Sequence, residues 1–319
     1  NDLNKDINKS TNELKLTRDY VYDEGNDINF TDGINVTKSN FLLDGNGYSI
    51  DGNGKARIFN IIGNNVTLKN LIIKNALNGA VSFVQPNAEY YLDNVTIQNS
   101  SSKYDSGGIE LNATNLVVNN SKFISNTGTR SSDIFFNEKC NVTVVNSTFE
   151  GGIESKWSHI YFSGGALIVD GSTFANSRSS YANAIYGEDG RVTVRNTKFR
   201  NLTVLNSAGA IGVKYAVNLT VEDCEFTNIT SGKNGGVIFA DIDQGYVTIA
   251  NSKFHDCFAA FGGAVMQLRA ELNIINSTFE DNIAMYDGGV LWTSYADVSI
   301  ENSTFKRNNI VKEDLEIGG

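Results

Sequence analysis

Phenylalanine recurs along this chain at a nearly fixed interval, at Phe123, Phe149, Phe174, Phe199, Phe226, Phe254, Phe279 and Phe305, with Ile97 and Ile73 in the same register before them. The interval is about 26 residues, and a fixed period kept over such a length means stacked repeats. Three residues before each column member stands Asn70, Asn94, Asn120, Asn146, Asn196, Asn251, Asn276 or Asn302, with Gly171 and Asp223 alone breaking the series. Five residues before it every repeat carries an aliphatic side chain, from Leu68 and Leu92 through Val144 and Val194 to Ile274 and Ile300. Seven before it the same holds except at Tyr90. Apolar residues two apart, most of them β-branched, signal a strand whose alternate side chains face one core. Each repeat therefore reads as a strand, an Asn corner and a second inward anchor at the Phe.

A repeat of this size holds two or three short strands, too few to close a sheet alone. Stacked as coils of a single-stranded parallel β-helix, each pairs with the next at about 4.8 Å. The single proline, Pro86, agrees with this, because a coil donates nearly every strand N–H to its neighbour and proline has none to give. In-register Asn side chains can bond along the stack as an amide ladder, and Asn tolerates the left-handed backbone of a corner. The expected organisation is an N-terminal cap over residues 1–38 and a solenoid over 39–319, with about ten regular coils from residue 60. In the cap, Leu3, Ile7 and Leu14 suggest a short amphipathic turn or helix, followed by strands over Leu16 to Tyr22 and Phe41 to Ile50. Glu316 to Gly319 read as the opening of another coil, so the natural protein is expected to continue.

Composition narrows the partners. With 36 Asp and Glu against 26 Lys and Arg the formal charge is -10, and no repeat carries a basic stripe. Nucleic acid and anionic membrane are poor partners for such a surface. No stretch approaches the roughly 20 apolar residues of a membrane span, and the chain opens on no signal peptide. Cys140, Cys224 and Cys257 are odd in number, and the last two occupy different corners of successive coils, which favours small buried thiols over a disulfide. No CxxC or His–Cys cluster points to a metal, and no cofactor is expected. The doubled Asp44-Gly45-Asn46-Gly47 and Asp51-Gly52-Asn53-Gly54 faintly resembles a calcium loop but reads as tight turns.

These motifs resemble a family. Asn-Ser-Thr-Phe-x-x-Asn, at Asn276 to Asn282 and Asn302 to Asn308, with Gly-Gly-Ala-Val at Gly262 to Val265, looks like the paired repeats of chlamydial polymorphic outer membrane proteins. The opening segment is similar to adhesin-like surface proteins of methanogenic archaea: Asp19-Tyr20, the two Asp-Gly-Asn-Gly turns, and Arg57-Ile58-Phe59 before the first regular coil. The resemblance implies a right-handed, pectin-lyase-like β-helix on an extracellular, surface-anchored protein that attaches to other cells or surfaces. Departures cluster. FxxN is intact at Asn126, Asn282 and Asn308, with Cys257 in that place in another coil. The Gly-Gly pair becomes Ser132-Asp133, Ser158-His159 and Ala182-Asn183 in three neighbouring coils. Such an interruption is expected where a specific surface is built.

Three functional classes remain. An enzyme on this fold needs carboxylates at a fixed separation, or an Arg or Lys base with a calcium-binding Asp cluster. The polygalacturonase-like signatures Asn-Thr-Asp, Asp-Asp, Gly-His-Gly and Arg-Ile-Lys are all absent. His159 and His255, four repeats apart, read as surface substituents, and no catalytic residue is expected. A binder has one positive feature. Tyr104, Arg130, Trp157 and Tyr181 follow the Phe column by seven or eight residues in consecutive coils, with Phe261 and Tyr286 later. At the coil spacing, aromatic faces bracketing an Arg could take a sugar ring, although aromatics shielding a corner would look the same. A passive stalk would need no such patch, and the varied edge argues against it. Many Asn-x-Ser/Thr sequons, among them Asn35, Asn112, Asn201 and Asn228, fit a secreted protein; those at Asn146, Asn276 and Asn302 would be occluded if the ladder faced inward. The expectation is a monomeric, non-catalytic adhesin fragment on the cell surface or wall, with glycans or proteins of other cells as partners.

Overall fold

The computed structural model describes residues 2–112, 114–137, 139–155 and 158–311. Its strands pair in parallel from one coil to the next and give every coil three faces. The first face stacks strands such as Asn115–Asn119, Asn141–Val145 and Ala166–Asp170, with Leu116, Val142 and Leu167 in register and turned inward. The second stacks Lys122–Ile124 and Thr148–Glu150 and carries the Phe column. The third stacks Ile109–Leu111, Ser131–Asn137, Ser158–Ser163 and the start of Ile185–Arg195. Consecutive Phe rings from Phe123 to Phe305 lie 4.6–5.2 Å apart, with interplanar angles of 13° or less.

The Asn column turns the chain as expected. Its members hold φ between 47° and 54°, and Gly171 and Asp223 adopt the same conformation. Their amides, however, face solvent, so the sequon residues Asn94, Asn146, Asn276 and Asn302 are exposed. The ladder is also sparse: Asn94 donates to Asn70 at 2.9 Å and Asn276 to Asn251 at 3.4 Å. The continuous ladder stands one residue later and is buried. Each hydroxyl there donates to the carbonyl two residues back and accepts the backbone N–H of the preceding coil, as in Ser121, Ser147, Ser172, Ser252 and Ser277. Corner N–H groups that no strand partner reaches are satisfied this way, and leaving one unsatisfied costs about 1–3 kcal/mol. Cys224 fills one rung of this ladder, and Cys257 takes the place of the buried FxxN Asn. All three thiols are buried, and burial pushes Cys224 and Cys257 up to about 12.

The Gly-Gly pairs have a steric cause. A Cβ on Gly209, Gly236 or Gly263 would stand 2.0, 1.9 or 2.2 Å from the carbonyl oxygen of the corresponding Gly one coil on. Only glycine allows that approach.

At the N-terminus the helix α1, Asp2–Lys9, lays Leu3 and Ile7 over the end of the stack. The solenoid begins earlier than the sequence suggests. Glu13–Lys15 already pairs with Phe41–Asp44, Tyr20–Val21 with Ser49–Asp51, and Ile34–Val36 with Phe59–Ile61, so residues 13–36 form a first coil rather than part of the cap. Both Asp-Gly-Asn-Gly segments are tight turns, in which Asp44 and Asp51 accept the N–H of Asn46 and Asn53 at 2.8 Å.

Candidate functional site

Two of the residues singled out by sequence, Tyr104 and Arg130, do not share a register. The bridge between Ser106 and Ser131 sets Arg130 level with Asp105, one place away from Tyr104. Arg130 pairs with the Asp105 carboxylate at 3.1 Å and lies over the ring of Phe135, 5.0 Å from its centroid. Tyr104 is exposed, with the Lys103 ammonium over its ring. Tyr181 is half-buried in the bend before Ile185–Arg195. Trp157 lies outside the described residues.

The broken Gly-Gly coils hold something else. Asp133, His159 and Asn183 turn inward where other coils have glycine, and all three are buried. A one-residue bulge between Ser131 and Ile134 accompanies the change. The interruption thus serves the interior, and His159 is not a surface substituent. His159 Nδ1 meets Asp133 Oδ2, and Asn126 donates to Asp133 Oδ1 at 2.9 Å. On the other side, His159 Nε2 lies 2.9 Å from Ser177 Oγ. An Asp–His–Ser chain invites comparison with a hydrolytic triad, in which the hydroxyl gives its proton to the imidazole. Here Asn183 donates both amide N–H groups to the carbonyls of Ser177 and Thr203, which leaves its Oδ1 to accept the Ser177 hydroxyl at 2.5 Å. The Ser177 proton points away from His159. The chain ties successive coils together.

The outward side of the third face carries a column that the sequence reading passed over. Glu110, Phe135, Tyr161, Tyr186, Gly212, Phe239, Met266 and Trp292 share one register through successive coils. Phe135 and Tyr161 have ring centroids 5.7 Å apart, and Tyr161 and Tyr186 stack at 5.5 Å. Gly212 makes room, because a Cβ there would meet the Tyr186 ring at 2.9 Å. Ala182 and Ala208 pack beside Tyr186, Phe239 and Met266, so this outer layer is an apolar cluster separate from the interior core.

Glu188 crowns it. The Tyr161 hydroxyl donates to Glu188 Oε2 at 3.1 Å and the Tyr186 hydroxyl to Oε1 at 3.5 Å. Burial, then the Glu188 charge, holds both hydroxyls above the ordinary phenol range, with Tyr215 adding to the effect. Tyr186 is buried, Tyr161 and Glu188 are half-buried, and Tyr215 is 50% exposed.

At the first position of the column Glu110 faces Arg57 at 3.3 Å and Asp105. Burial, together with the Asp105 carboxyl, pushes Glu110 up to about 7 against the pull of Arg57. Because the folded chain holds this proton more tightly than the unfolded one, its stabilisation is complete below about pH 4.5 and is lost as pH rises through about 7. Glu110→Gln is expected to gain on the order of 2 kcal/mol over wild type between pH 5 and pH 8. Urea unfolding at the two pH values checks this, and parallel profiles would refute it.

Residues 132–305, more than half of the chain, match the family model described as the right handed beta helix region. The protein belongs to the right-handed β-helix family. No curated protein and no solved structure matches the chain. In this β-helix no group of three or more His, Cys, Asp or Glu is placed to hold a metal ion among the described residues. Nor is any described helix long and apolar enough to cross a membrane.

Proposed function

We propose that this β-helix is a non-catalytic binding module of a cell-surface adhesin, acting as an extracellular monomer that attaches to glycans or proteins of other cells. The observation that carries the reading is the outward aromatic column, in which Tyr161 and Tyr186 stack and donate to Glu188 on a rigid stack, with the half-exposed Tyr215 in the next coil. Rings with polar tips and a carboxylate on a preorganised surface suit glycan recognition, because little is ordered on binding. The resemblance to archaeal adhesin-like proteins supports the extracellular setting.

One observation favours an enzyme instead: Glu110 keeps a proton near neutral pH, as a general acid must. Asp105 hydrogen-bonds that carboxyl directly, which is closer than the roughly 5 Å or more that separates the two carboxyls of a glycosidase. The binding reading is therefore preferred.

The test pairs whole-cell attachment and a glycan array with assays for reducing and unsaturated sugar released from every polysaccharide bound. Attachment without release is expected. Turnover would overturn the reading in favour of the enzyme, and absence of attachment would leave a stalk.

A further inference from the structure

The patch around Glu188 carries information on ligand charge. Two phenol hydroxyls donate to the Glu188 carboxylate and fix its plane, and a carboxylate has about four lone-pair sites, so acceptor capacity remains for the paired hydroxyls of a sugar. Tyr161 supplies ring surface beside it, the buried Tyr186 is the floor, and the half-exposed Tyr215 follows Lys214, the residue in register with Glu188 one coil on.

The cations nearby are already opposed by carboxylates. Arg130 is paired with Asp105 and lies over Phe135. Lys214 stands in register between Glu188 of one coil and Asp241 of the next. Arg269 reaches both Asp241 and Asp243. An anionic sugar would bring its charge against Glu188 on a chain of formal charge -10, and each cation it recruited would leave a carboxylate behind.

We propose that Tyr161, Glu188 and Tyr215 form a site for a neutral glycan, with the Glu188 carboxylate accepting from sugar hydroxyls and excluding uronates and sulfated sugars. The proposal rests on the binding reading above and narrows it. A single site of this kind is weak, and presentation of many copies on a cell converts it into attachment.

The test uses the whole 319-residue chain on surfaces bearing a β-glucan, a mannan or chitohexaose, and in parallel polygalacturonate or hyaluronan. Wild type is expected to bind at least one neutral glycan tenfold or more above either anionic one. Tyr215→Ala and Glu188→Gln, at an exposed position and by an isosteric change, should each lower that binding tenfold or more while thermal midpoints stay put. Tyr104→Ala should leave it unchanged. Preference for an anionic glycan overturns the proposal, as does neutral binding that survives both substitutions. Cell attachment that no neutral glycan competes overturns this site and leaves the adhesin reading standing. No attachment to cells or glycans overturns both.

Discussion

Replacing Asp133 by alanine is expected to cost about 3 to 5 kcal/mol, the usual penalty for removing one partner of a buried ionisable pair. Asp133 and His159 are 1% and 2% exposed, so water cannot take over the role of the missing carboxylate. The loss reaches both ways along the chain of bonds. Asn126 gives up its Asp133 acceptor and keeps the Ile97 carbonyl, while His159 retains Ser177 on one nitrogen and on the other the Ser132 hydroxyl at 3.2 Å. His159→Ala should cost a similar amount. The double variant should cost 1–3 kcal/mol less than the sum, because the second change removes the group that the first left stranded. Denaturant unfolding of the four proteins checks this, and additivity within about 0.5 kcal/mol would mean that the pair is no unit. Hydrogen exchange offers a second readout: protection should fall first in the coils around residues 126–183, because a solenoid's coils depend mainly on their neighbours.

The same pair shows where reading the chain alone stops. Columns made of one residue type were legible, because stacking in register repeats the side chain: the Phe rings, the aliphatic strand positions and the Asn corners all stand where the period puts them. The hydroxyl ladder was equally periodic, yet Ser147, Ser277 and Ser303 sit inside Asn-Ser-Thr and draw attention to sequons instead of to buried corners. Asp133, His159 and Asn183 were noticed as a break but assigned to the surface, since charged and amide side chains are mostly exposed. The clue was the residue they replace. Glycine marks the place where one coil's backbone touches the next, so a side chain there, if the coil adjusts, is enclosed. The outer aromatic column escaped for the opposite reason. Its members change identity from Glu110 through Phe135 and Tyr161 to Gly212 and Trp292, and only the three-dimensional register aligns them. Arg130 was picked for its place in a row with Tyr104, whereas the bridge at Ser106 offsets them and gives Arg130 to Phe135.

Phe226→Ala is expected to cost about 3 to 5 kcal/mol and to change how the rod unfolds. The ring is fully buried between Phe199 and Phe254, each 4.6 Å away, so truncation removes two stacked contacts as well as the apolar burial. Stacked aromatic pairs contribute roughly 0.5–1.5 kcal/mol each beyond area, and a cavity inside a column of rings has no loop that could collapse into it. In a chain whose stability is a sum over coil interfaces, the damage falls on the two interfaces that flank residue 226. The segments on either side retain their own stacks, Phe123 to Phe199 before the gap and Phe254 to Phe305 after it. The variant should therefore melt in two steps, or in one much broader step, where wild type melts in one. Phe305→Ala supplies the comparison, because that ring is 43% exposed and stacks on Phe279 alone among the described residues. Its cost should stay near 1 kcal/mol with no change in the shape of the transition. Equal costs at the two positions would mean that the column stabilises through composition alone, and that neighbour-to-neighbour stacking does not hold the solenoid together.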